Sequence, residues 1–324
     1  MKYRNLTSEE VDILEKQQNQ CTDWNLVEVA EGFSPKHIRN VNFSGKIKLG
    51  KLEKTISLPG GVQRNTGITN ANIYNCDIRD NVFINNVRGS IANYVIDENV
   101  VIETVDLLAM EGESSFGNGT RINVINEMGG REVPMYNELN SQTAYIIALY
   151  RHRPKVIQRL YELIDKYAKK QRSTVGYIGK NVHITNCRII RNVCFKESCI
   201  INGVYKLCEG TVNSCSEDPT YIGQGVIAQE FITSEGAKIT DATIIDRCFV
   251  GQGCHLGKMY SAENSLFFAN SLGFHGEACS IFAGPYTVTH HKSTLLIAGV
   301  YSFLNAGSGS NQSNHMYKLG PIHQ

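Results

Sequence analysis

Metal-spaced cysteine pairs, long apolar runs and an excess of either charge are all missing from this chain. Its 324 residues carry 32 Lys+Arg against 31 Asp+Glu, a net charge of +1. That balance excludes the broad basic surplus of a general nucleic-acid binder. No stretch approaches the about 18 consecutive apolar residues of a membrane-spanning helix. The opening Met1-Lys2-Tyr3-Arg4-Asn5-Leu6 has no apolar core of the signal-peptide kind. A soluble cytoplasmic protein, without nucleic-acid or membrane partners, is the expectation. Tryptophan is scarce too, and the single Trp24 reads as a packing residue.

Ten cysteines are present, but no C-x-x-C pair occurs, so a zinc ribbon is not expected and no metal ligands are assigned. Cys76, Cys248 and Cys254 each stand two residues before an apolar residue (Ile78, Val250, Leu256). Free cysteine behaves there as a small hydrophobe, so packed, reduced thiols are expected.

What is present in quantity is a phrase: Asn, Val, any residue, then a branched or aromatic apolar residue. It occurs at Asn81-Val82-Phe83-Ile84, Asn99-Val100-Val101-Ile102, Asn181-Val182-His183-Ile184 and Asn192-Val193-Cys194-Phe195. Ile78, Ile84, Ile96 and Ile102 lie on a six-residue grid with Ser90 in the vacant slot, and Ile178, Ile184, Ile190 and Phe195 start a second tract. Ile239, Ile244, Val250 and Leu256 carry the pattern onward. A period of six is neither helical nor that of a hairpin; it predicts short strands coiled into a solenoid, three sides to a turn. The apolar residue faces inward, and Asn or Gly takes the corners, where left-handed backbone favours them.

The spacing also predicts a helix over 7–19, opened by a Thr7/Glu10 capping box, which covers the first exposed end of the coil. The repeat stops over 131–175. There Ala144–Leu149 and a second helix beginning at Pro154 form a helical hairpin. Its apolar positions Val156, Leu160, Leu163 and Tyr167, with Ile157, Tyr161 and Ile164, pack either on the flank of the coil or on a neighbouring subunit. Its basic residues, Arg151, Arg153, Lys155, Arg159, Lys169 and Lys170, read as a solvated face. The expected organisation is thus 1–37 cap, 38–130 first tract, 131–175 helical insertion and 176–324 second tract, continuous with the first. The loop Gly117-Asn118-Gly119-Thr120-Arg121 superficially matches the phosphate loop of sugar-nucleotide pyrophosphorylases, but falls inside the coil tract rather than at the start of a doubly wound domain.

The hexad pattern resembles the hexapeptide-repeat, left-handed parallel β-helix superfamily. The resemblance, and not physics, supplies the left hand, which departs from the usual right-handed crossover. Leu6-Thr7-Ser8-Glu9-Glu10, Arg151-His152-Arg153-Pro154 and Thr289-His290-His291-Lys292-Ser293-Thr294 are further similar to an uncharacterised family of long hexapeptide-repeat proteins. Its members are described as acyl- or sugar-nucleotide-transferase-like and extend beyond the position of Gln324. The expected fold class is therefore an all-β solenoid, a left-handed parallel β-helix with an N-terminal capping helix and an α-helical hairpin insertion. The present chain is expected to be the N-terminal part of a longer one, or to be capped at its end by a partner.

Chemistry is expected after residue 264, where five of the nine histidines fall. A neutral imidazole can take a proton from an acceptor hydroxyl or amine near neutral pH. His290 and His291, in a loop leaving the coil, read either as catalytic bases or as ordinary polar loop residues. His275, Glu277, Lys292, Asn305, Asn311, Asn314 and His315 read as substrate-binding candidates. The resemblance implies acyl transfer from a CoA-type thioester to a sugar or sugar nucleotide, in a homo-oligomer, a trimer by analogy. Acyl-CoA is then a co-substrate, with no tightly bound cofactor. The rival expectation is a non-catalytic binding or scaffold module like those attached to sugar-nucleotide pyrophosphorylases.

Overall fold

The computed structural model describes residues 2–313. The chain is a solenoid of short, parallel strands with an α-helical insertion. Three strand segments make each turn. In one turn Ile244–Asp246, Cys248–Val250 and His255–Gly257 pair with Ser261–Glu263, Ser265–Phe267 and Leu272–Phe274 of the next.

The Asn-Val phrase does what its chemistry allows. Asn81, Asn99, Asn181 and Asn192 all have positive φ, between 54° and 59°, the region that Asn tolerates better than other side chains. The following Val82, Val100, Val182 and Val193 are wholly buried. Corner amides also bond from turn to turn, Asn99 Nδ2 donating to Asn181 Oδ1 at 3.2 Å and Asn75 Nδ2 to Asn93 Oδ1 at 3.2 Å. At these corners a buried row therefore has hydrogen-bonded amides outside it.

The strict six-residue grid does not hold throughout. Ile84 stacks beside Ile102, eighteen residues on, but Ile184 stacks beside Ile201 and Ile245 beside Ala262, seventeen on. One corner is thus a residue shorter in the second tract. Two particular assignments change with it. An irregularity between Val87 and Ser90 turns Ile91 inward rather than Ser90, and Ile245 fills the core while Ile244 is exposed.

Helix α1 (Ser8–Lys16) has the capping box: Glu10 N donates to Thr7 Oγ1, and Thr7 N to Glu10 Oε2. Its Leu14 joins the core of Val27, Val29, Ile38 and Phe43. Just beyond it the buried Asn19 side chain donates to the carbonyls of Leu14 and Ile38 and accepts from Val41 N. An amide thereby satisfies backbone groups at this end of the coil. Trp24 packs near Phe43, with ring centroids 6.3 Å apart.

The chain leaves the coil at Met110 and rejoins it at Gly176, whose N–H donates to Asn93 O. The departure precedes Arg131, because an antiparallel pair, Arg121–Asn123 with Glu132–Pro134, belongs to the excursion. So does the Gly117–Arg121 loop. Helices α2 (Ser141–Leu149) and α3 (Pro154–Gln171) follow. Ile157, Ile164 and Ala168 of α3 are buried, Leu160 and Tyr161 lie partly buried beside them, and Val156 and Leu163 face outward.

The insertion rests on its own coil. Ile232, Phe249, Leu266 and Phe282 point out of the solenoid in successive turns and are covered by Ile122, Val133, Ala144 and Ile147. Strands buried on both faces read as continuous apolar runs, and Cys248-Phe249-Val250 and Leu266-Phe267-Phe268 are such runs. Each large side chain so covered contributes about 1.5–3 kcal/mol. All ten cysteines are free.

Candidate functional site

Among the described residues, the polar candidates singled out by sequence lie on two neighbouring faces and the corner between them. In successive turns that corner presents Asp241, Lys258 and His275, each with positive φ, and then the exposed loop His290-His291-Lys292. His290 follows the strand Thr287–Thr289 and stacks on Phe274, with centroids 5.7 Å apart and planes 18° from parallel. Asn305 stands on the preceding face beside Val288. Glu277 opens the following face, and Asn311 shares its column two turns on, through Thr294. Asn314 and His315 lie outside the described residues.

The corner is therefore an exposed ridge, not an enclosed pocket. His275, His290, His291 and Lys292 are brought together there; Glu277 and Asn311 sit around the bend from Asn305. Open hollows of about 660 Å³ and 490 Å³ lie elsewhere, one beside Asn75 and Asn93, the other between α2 and the coil.

One residue that sequence reading passed over completes the corner. His255 is half-buried and meets Phe274 edge-on, with centroids 4.9 Å apart. Its Nε2 lies 3.2 Å from Thr240 Oγ1, and that hydroxyl donates to Asp241 Oδ2 at 3.0 Å. A hydroxyl has one proton to give. With it directed to Asp241, Thr240 accepts from His255 Nε2–H, and the lone pair is left on Nδ1. Gly257 makes the arrangement fit, since a Cβ there would stand 2.7 Å from Thr240 Oγ1.

Burial holds the His255 imidazole below its ordinary pKa, and Lys238 and Lys258 push the same way against Asp241. The ring is accordingly neutral at pH 7, the state a base requires. Beneath the ridge the wholly buried Tyr260 fills space left by Gly273 and Gly276, whose Cβ atoms would come within 3.0 Å and 3.1 Å of its ring. The signal that could have found this set is the seventeen-residue turn, which aligns Thr240, Gly257 and Phe274. The six-residue grid did not. Among the described residues no three His, Cys, Asp or Glu side chains group as a metal site would need, and no helix is long and apolar enough to cross a membrane.

Residues 3–324 match the family described as Domain of unknown function (DUF4954). The chain belongs to the DUF4954 family. It is also similar to a protein of Treponema pallidum (strain Nichols) described as uncharacterized. The two are 29% identical over 327 residues, covering 96% of this chain and 45% of the relative. This DUF4954 chain thus spans under half the length of that relative. No solved structure matches it.

Proposed function

We propose that this chain is a left-handed, hexapeptide-type β-helix that transfers an acyl group from a CoA-type thioester to a sugar or sugar nucleotide at the His255–Phe274–His290 corner. The observation that carries the reading is the Asp241–Thr240–His255 relay, which presents a neutral imidazole one turn from the stacked Phe274–His290 pair. His255 Nδ1 takes the proton of the acceptor hydroxyl or amine as that atom attacks the thioester carbonyl. The acceptor–acyl bond forms, the C–S bond breaks, and the imidazolium returns its proton to the departing thiolate. His290 and His291 flank the acceptor, and Lys292, Asn305 and the corner amides position it. A homo-oligomer, a trimer in this reading, turns the open ridge into an inter-subunit groove and shields the reaction from water.

The test is release of CoA from acetyl-CoA in the presence of UDP-hexosamines, hexosamine phosphates and free hexosamines, with oligomeric state measured by light scattering. A general base contributes about 10²–10⁴-fold to rate, so His255→Ala should lose activity by that factor, and His290→Ala by less. Acceptor-dependent turnover unaffected by either substitution would remove this corner from the chemistry.

The openness of the ridge in a single chain favours one alternative, a binding module without turnover. It predicts saturable sugar-nucleotide binding that needs Phe274 and His290 and releases no CoA.

A further inference from the structure

A second polar hollow lies on the first tract, and its composition is that of an anion site. The antiparallel hairpin Thr55–Leu58 and Val62–Asn65 projects from the coil just before Gly67. With the coil it encloses about 420 Å³ lined by His37, Arg39, Arg64, Asn65, Phe83 and Asn85, within the size range of small-molecule pockets. Gly67 stands between His37 and Phe83 in the same outward column, and its missing side chain opens the floor. A Cβ there would lie 2.4 Å from His37 O.

The charges are one-sided. Among the described residues no carboxylate pairs with Arg39 or Arg64, whereas neighbouring cations are tied: Arg79 to Asp97, Arg88 to Asp106 and Lys48 to Glu28. The one carboxylate in the adjoining column, Glu103, is engaged by Asn85 Nδ2 at 3.1 Å. Burial, followed by the cations Lys36 and Arg39, lowers the pKa of His37. Two guanidinium groups that line one hollow from separate elements, unpaired with carboxylates among the described residues, suit phosphate oxygens, which they can grip bidentately. Beside them Phe83, 7% exposed, adds a small apolar surface to the lining, and Asn65 with Asn85 offers amides for ring hydroxyls.

We infer that this hairpin-lidded groove binds a phosphorylated sugar, with Arg39 and Arg64 on the phosphate and Phe83, Asn65 and Asn85 against the ring. The site stands apart from the histidine corner, so its test reads binding and not acyl transfer. Titration calorimetry on the full chain would use glucose 1-phosphate, UDP-glucose, inorganic phosphate and glucose. Glucose 1-phosphate or UDP-glucose should bind, inorganic phosphate at least tenfold more weakly, and glucose not measurably. Arg39→Gln and Arg64→Gln should each weaken binding about tenfold, while Arg153→Gln on the insertion should leave it unchanged. Arg64 sits on the exposed hairpin, outside the coil, so its variant separates binding from folding, with circular dichroism confirming the fold. Equal affinity for inorganic phosphate would overturn recognition of the ring. Absence of binding by wild type at 10 mM, a concentration of about 100 times a 0.1 mM Kd, or unchanged affinity in a folded Arg64→Gln chain, would overturn the site.

Discussion

The ring of Tyr94 occupies the space that a side chain at position 176 would need. A Cβ on Gly176 would lie 2.2 Å from Tyr94 Cε1, and the two residues face each other in adjacent turns. The ring cannot swing aside freely, because its hydroxyl donates to Val193 O at 2.9 Å from a fully buried position. The pairing is repeated further along, where Phe231 fills the space over Gly210, whose Cβ would be 2.3 Å from its ring. Close-packed interiors have no spare volume for a methyl group at such points.

Gly176→Ala should accordingly destabilise the chain by about 1–3 kcal/mol, the usual range for overpacking a core. Because the clash is with one partner, Gly176→Ala combined with Tyr94→Ala should be less destabilised than the sum of the two single variants. Denaturant unfolding of the four chains gives the coupling directly, and strict additivity would contradict the steric account.

His255 makes stability depend on pH in a defined direction. Burial, with Lys238 and Lys258, keeps its folded pKa below the ordinary 6.5. On acidification the unfolded chain takes up this proton first, so its contribution is intact above about 6.5 and is lost as pH falls toward the lower folded value. His255→Gln should therefore show a smaller drop in melting temperature between pH 7.5 and 5.5 than wild type. The same lowered pKa means that the proposed acyl transfer, with His255 as its base, should persist to more acidic pH than an unperturbed imidazole would allow. Identical melting-temperature drops in both chains would show that the ring is not held neutral by the fold.

The insertion depends on outward-facing apolar residues of the coil. Phe249 and Phe282 are each 1% exposed beneath it. Phe249→Ala should cost about 3–5 kcal/mol of local stability, as for other buried aromatic truncations. The loss should appear first as proteolysis within 141–171, while the far-UV strand signal of the coil is retained. Cleavage starting within the coil instead would mean that insertion and solenoid unfold as one unit.

The solenoid was legible because a repeat states its core residue many times over. Ile84, Ile102 and Ile184 each name the inward position, and each Asn before them names a corner. The α1 capping box was equally plain, since Thr7 and Glu10 act within one turn of chain. The changes of register were not. Ser90 held the expected slot by number, but a bulge ahead of it turned Ile91 inward. Ile244 and Ile245 are adjacent and chemically alike, so only pairing with Ala262 in the next turn distinguishes them.

The candidate site divides in the same way. Sequence located a histidine-rich segment holding His275, His290 and His291, but did not say whether they share a corner. It did not find His255, which precedes that segment and owes its partners to Thr240 and Phe274 in neighbouring turns. Nor did it find that Arg39 and Arg64 line one hollow, because Arg64 sits on a hairpin of no regular period.

By itself the sequence determined the coil, its corners and the helix that begins it, since these follow from local backbone preference and from burial repeated at a nearly constant interval. Only the tertiary structure decided which side of the coil the insertion covers and which polar side chains share a corner. Both depend on the exact length of each turn. A single residue more or fewer moves every later side chain around the axis, and no local preference records that shift.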